Sequence, residues 1–169
     1  MNRALALLLP ALLFATPALA AASGYQGVVT HVTDGDTVWV RPASGGAPRQ
    51  IRLQGIDAPE ICQAHGIAAR DALAMRVLHR HVSVTSRARD EYQRTLGQVR
   101  MGGKDVGVWM VSHGHAWSYR FHADRGPYAK HEARARAARL GLWSGAAPVP
   151  PRDFRRQHGS CKPQSRAQA

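Results

Sequence analysis

Cysteine is nearly absent, with only Cys62 and Cys161 among 169 residues. Without further thiols at ligand spacing, a cysteine-built zinc centre is excluded. Nine histidines are present, but no His-Glu-x-x-His pattern groups any of them, which removes the usual zinc-hydrolase signature. Ser112 to His115 lacks the strand, nucleophile and turn order of a serine hydrolase. No internal repeat and no low-complexity block argues for a second domain. The one apolar run, Ala4 to Phe14, is short for a bilayer span, and Pro10 and Pro17 interrupt the region around it. Acidic side chains are also scarce, 11 against 23 Lys plus Arg, for a formal net charge of +12.

What is present begins with that charge. A strong positive excess gathers anions at the surface and speeds their capture. With no long amphipathic segment to suit a lipid surface, nucleic acid is the favoured partner. At the N-terminus, Arg3, the apolar run and Ala18-Leu19-Ala20 match an export signal with a signal-peptidase site. Residues 1–22 are therefore expected to be removed. A secreted or periplasmic protein results, with no stable membrane association after cleavage. In that oxidising setting an even pair of thiols is expected to bridge, which would tie the C-terminal segment close to Glu60. The expected organisation is a single unit over 23–145, followed by a basic, Pro-containing tail over 146–169.

Periodicity outlines the unit. Tyr25 to Val32, Thr37 to Val40 and Arg49 to Leu53 read as strands separated by Asp-Gly-Asp and Ser-Gly-Gly turns. From Gly66 to His79 the period changes, and Ala69, Leu73 and Val77 form one helical stripe. Val82 to Ser86 and Thr95 to Met101 return to strand character, and Asp105 caps a short helix that Gly114 stops. A last helix over Tyr128 to Leu140 places Ala129, Ala133, Ala137 and Leu140 on one face and leaves Glu132 nearer solvent. This order predicts an α+β fold, mainly a β barrel: an OB-fold with a five-stranded barrel and three helices. Trp109, Trp117 and Trp143 are expected in its packing.

The chemistry lies in charged residues set around turns. Asp36 and Asp57 supply hard oxygen donors for a divalent cation. Glu60, stiffened by Pro59, sits close enough along the chain to face the same pocket and to accept a proton from water or orient it. Read alone, Asp57 to Glu60 could also be no more than a cap for the helix that follows. Arg52 and Arg94 bring guanidinium forks suited to phosphate oxygens and to the charge that builds at phosphorus.

These blocks carry a family resemblance. Asp34-Gly35-Asp36-Thr37, Ile51-Arg52-Leu53 leading to Asp57-Ala58-Pro59-Glu60, Asp90 to Arg94, and Gly141-Leu142-Trp143-Ser144 together resemble the staphylococcal nuclease (thermonuclease) family over roughly Tyr25 to Ser144. The resemblance implies an OB-fold nuclease that uses Ca2+ to hydrolyse DNA and RNA with low sequence specificity and leaves 3′-phosphate ends. It implies that Asp36, Asp57 and the Ala58 backbone carbonyl hold the metal. Arg52, Glu60 and Arg94 are then catalytic, and the protein is a monomer. Tyr92 and Tyr119 are candidates to line the nucleotide pocket. Gln93 stands where the family usually has Gly before the arginine, and Glu91 adds a negative charge beside it. The competing class is a catalytically silent OB-fold nucleic-acid-binding module that keeps the basic groove and loses hydrolysis.

Overall fold

Alternating β-branched residues build the scaffold. The computed structural model describes residues 23–90, 94–119, 124–145, 147–159 and 161. The expected export signal, residues 1–22, lies outside the described residues, and so do Glu91, Tyr92 and Gln93. Strands β1 (Ser23–Val32), β2 (Thr37–Pro42) and β3 (Arg49–Leu53) form an antiparallel meander, with Val29 opposite Val40 and Val38 opposite Ile51. Val38 and Val40 are fully buried, while Trp39 and Arg41 between and after them face outward. A short β4 (Ile56–Asp57) follows the Gln54-Gly55 turn.

Closure comes from the second half of the chain. Strand β5 (His81–Arg89) pairs with β1, β6 (Thr95–Met101) pairs with β5, and β6 returns to run parallel to β3, with Arg52 opposite Leu96. Five strands thus close into a barrel with no free edge around the ring, and β7 (Lys104–Asp105) extends β6. The α+β barrel expected from periodicity is what the chain forms.

Helix α1 (Gly66–Val77) contributes Ala69, Leu73 and Val77, all at zero exposure, to the core that holds Val29, Val84 and Val99. Asp105 caps α2 (Val106–Ser112) by accepting from Gly107 N and Val108 N, and Val106, Met110 and Val111 join the same core. A second, smaller cluster is made by Trp117 of β8 (Trp117–Ser118), Ala135 of α3 (Ala129–Ala137), and Leu142 and Trp143 of a 3-10 turn over Gly141–Trp143.

One expectation needs correction, and one element was not expected. Helix α3 does not bury its Ala129, Ala133 and Ala137 face: it buries Glu132 and Ala135, and Leu140 is 42% exposed. Alanine methyls give little drive for burial, whereas the Ser118 N–H needs an acceptor and Glu132 supplies it at 2.8 Å. The basic, Pro-containing tail also holds a fourth helix that was not expected, α4 (Pro151–His158), with proline in its first turn. Its short span carries one large apolar residue, Phe154, so no periodic signal marks it. Among the described residues, no helix is long and apolar enough to cross a membrane.

Candidate active site

The β1–β2 turn begins the site. Asp34 Oδ1 accepts from Asp36 N at 3.0 Å, and Thr33 N donates to Thr37 O at 2.9 Å, which closes the turn. Gly35 is pressed onto the next segment, since a side-chain carbon there would lie 2.7 Å from Ala58 Cβ and 2.9 Å from Ala69 Cβ. Only glycine allows the acidic turn to approach the 57–60 loop this closely.

The approach joins the two acidic motifs. Ala58 N donates to Asp36 Oδ2 at 3.0 Å, Thr37 Oγ1 donates to Asp36 Oδ1 at 3.0 Å, and Leu53 N donates to Asp36 O at 2.7 Å. Arg52 projects from β3 between them. Its Nη1 lies 2.9 Å from Asp36 Oδ2 and its Nη2 lies 2.9 Å from Asp57 Oδ1. Strand register explains the placement: Arg52 is opposite Thr37 in β2, and Asp57 is held in β4 opposite Trp117.

Glu60 is fixed differently. Its N–H donates to Gln63 Oε1 at 3.1 Å, and its carbonyl accepts from Gln63 N at 2.8 Å. Gly66 sits so close to that carbonyl that no side chain would fit. The bland reading of Asp57 to Glu60 as a helix cap does not apply, because α1 has His65 at its N-cap position and no side-chain cap. The Glu60 carboxylate instead meets Arg155 of α4, with Nη1 to Oε1 at 2.6 Å, and Arg155 Nη2 is 3.7 Å from Asp57 Oδ2.

Across the barrel mouth, Arg94 belongs to the β5–β6 turn. Asp90 accepts from both its backbone N at 2.8 Å and its Nε at 2.6 Å. A groove of about 1030 Å³ is lined by Asp36, Arg52, Ala58, Glu60, Arg94, Tyr119 and Arg155, among others. Asp57 is not on its wall and reaches it through its ion pairs with Arg52 and Arg155. Tyr92 lies outside the described residues, so the groove is described with Tyr119 alone of the two expected tyrosines.

Two of the acids at the site resist ionisation. Burial and the adjacent Asp36 carboxylate push Asp34 up to about 7. Burial and Asp36 push Asp57 up to about 6, although Arg52 and Arg155 pull the other way. Burial opposes the charge on Arg52, but Asp36, Asp57 and Asp34 outweigh it and keep the guanidinium protonated. Acids that resist ionisation beside other acids are suited to a cation. All the donors are hard oxygens, which fits calcium or magnesium rather than zinc. Among the described residues, no three His, Cys, Asp or Glu side chains converge as a ready metal cluster, and Arg52 spans the Asp36–Asp57 gap.

Three participants were not singled out as site residues in the sequence. Asp34 was visible in its motif, and its burial beside Asp36 brings it to the groove. Tyr128 also lines the groove and donates to Asp105 Oδ2 at 3.0 Å. Arg155 had no local signal at all.

Comparison with known proteins points to one family. The family described as Staphylococcal nuclease homologue matches residues 50–145. Protein ParB of Escherichia coli is 40% identical over 160 residues, covering 88% of this chain and 88% of that protein. A protein of Haemophilus influenzae named Uncharacterized endonuclease is 33% identical, covering 89% of this chain and 85% of its own length. Micrococcal nuclease of Shigella flexneri is 38% identical, with 78% and 81% covered.

Proposed function

This chain belongs to the staphylococcal nuclease family, and we propose that it is a secreted or periplasmic calcium-dependent endonuclease. It hydrolyses phosphodiester bonds of DNA and RNA with low sequence specificity and leaves 3′-phosphate ends. The observation that carries this reading is the convergence on one groove of Arg52, bridging Asp36 and Asp57, with Glu60 and Arg94.

Each side chain has a separable task. Asp36, Asp57 and the Ala58 carbonyl would hold the cation, and Asp34 adds negative charge beside them. When bound, calcium supplies a fixed positive charge next to the phosphate. Glu60 accepts a proton from the attacking water or orients it. Arg52 and Arg94 pair with the phosphate oxygens and oppose the charge that grows at phosphorus. As the water oxygen bonds to phosphorus, the bond to the 5′ oxygen breaks. The phosphate then stays on the 3′ side, and the departing oxygen takes a proton from solvent. Arginine remains protonated near neutrality, so Arg94 acts by charge rather than by giving up a proton. Tyr119 on the groove wall, and Tyr92 from outside the described residues, would pack against sugar or base.

The compartment reading has its own support. Cys62 and Cys161 form a disulfide, and such bonds persist where the surroundings are oxidising. Residues 1–22 then act as the export signal, 23–145 as the monomeric catalytic unit, and 146–169 as a tethered tail.

Product-resolved cleavage of short DNA and RNA tests the whole reading. Both should be cut in calcium to 3′-phosphate ends, weakly in magnesium and not in chelator. Intact substrates with folded protein in calcium, while binding persists, would instead favour the silent binding module.

A further inference from the structure

Helix α4 is fastened to the loop that carries Glu60. The disulfide joins Cys161, just past the helix, to Cys62 in that loop. Gln63 Nε2 donates to Val149 O at 2.6 Å ahead of the helix, while Gln63 Oε1 accepts the Glu60 N–H at 3.1 Å. Pro151 at the helix start is buried. A covalent bond and a single glutamine that touches both segments therefore fix Arg155 against Glu60.

The contact differs from a casual surface pair. Arg155 and Glu60 side chains are 35% and 22% exposed, and they meet at 2.6 Å. Isolated exposed pairs contribute little and need no anchoring. Here one guanidinium nitrogen takes Glu60 Oε1, and the other faces Asp57. That arrangement removes rotational freedom from Glu60 by engaging its Oε1.

We propose that Arg155 is a positioning residue for Glu60, held in place by the Cys62–Cys161 bond, so that the C-terminal helix is a working part of the active site. The inference rests on Glu60 acting on water, as read above. It extends the site beyond the two arginines on β3 and on the β5–β6 turn, and beyond the stretch 50–145 matched by the family.

A double-variant cycle on a short DNA in calcium tests it. Arg155→Gln should lower kcat by about tenfold and leave KM within about threefold, with Arg155→Lys recovering part of the loss. Glu60→Gln should lower kcat far more, and adding Arg155→Gln to it should cost nothing further. Affinity for the same DNA in chelator, read by fluorescence anisotropy, should stay within about threefold of the parent. Cys161→Ser should reproduce much of the Arg155→Gln effect.

Other outcomes overturn the proposal in distinguishable ways. A rise in kcat for Arg155→Gln would make the helix a plug on the groove. A further loss in the double variant would show that Arg155 acts independently of Glu60, and a loss confined to KM and affinity would make it a phosphate contact. Unchanged kcat in Cys161→Ser would remove the tether from the account. Unchanged kcat in Glu60→Gln would sink the reading of Glu60 itself, whereas a slow Glu60→Gln beside a normal Arg155→Gln would sink only this inference.

Discussion

Among the described residues, carboxylate and arginine meet in two contrasting settings, under α3 and beside the groove. Under α3, Glu132 accepts the buried Ser118 N–H at 2.8 Å and pairs with Arg136 one turn later at 2.8 Å. The Arg136 guanidinium lies 3.6 Å from the centre of the Trp143 ring. A backbone donor, an ion pair and an aromatic face enclose that charge. At the groove, Asp34, Asp36 and Glu60, with Asp57 behind the wall, crowd around Arg52 and Arg155, and two of the acids are pushed well above their ordinary range. The same residue types therefore serve opposite ends. Where donors match the carboxylate, it fastens the fold; where carboxylates outnumber the arginines that touch them beside an open groove, their oxygens are suited to a cation.

Substitutions should separate the two clusters by what they damage. The largest effect is expected for Glu60→Gln, which should reduce kcat by about two to four orders of magnitude with calcium affinity and melting temperature nearly unchanged. Equal losses of cleavage and stability would erase the distinction. Glu132→Gln should do the reverse. It weakens a buried contact to Ser118 N and Arg136, so stability should fall by about 1–3 kcal/mol in denaturant titration, with kcat retained below the new midpoint. An unchanged midpoint would show that the α3 cluster is not structural.

The smallest effect sharpens the electrostatic half of the comparison. The folded pKa of Asp34, about 7, lies above its ordinary 3.8. The folded state then holds a proton that the unfolded state has lost between those values, so stability falls as pH rises through that window. Its charge weakens the metal-free protein above pH 7 and has no effect well below pH 4. Asp34→Asn should accordingly raise the melting temperature in chelator at pH 8 by a few degrees, on the order of 1 kcal/mol, and change little at pH 4. Equal shifts at both pH values would argue against a charge effect.

Much of this architecture could be read locally. The Val-rich alternation of β2, the Ala69–Leu73–Val77 stripe of α1 and the Asp105 cap each involve residues a few positions apart, and each formed as expected. The α3 face was misread because alanine spacing is a weak signal and Glu132 answers a donor on β8, fourteen positions away. Helix α4 was missed for a related reason: its order depends on a disulfide, a Gln63 contact and an ion pair rather than on its own periodicity.

The chain order alone determined the barrel, the identity of the charged residues on its two turns and the family they resemble, because strand alternation, turn chemistry and motif spacing are properties of neighbouring residues. Tertiary structure decided which of those charges meet. Arg52 reaches both Asp36 and Asp57 because β3 lies beside β2 and close to β4. Arg155 reaches Glu60 across a separation of 95 positions. A contact of that range leaves no local pattern, since it exists only after the chain has closed and its end has been bonded back to the loop at Cys62.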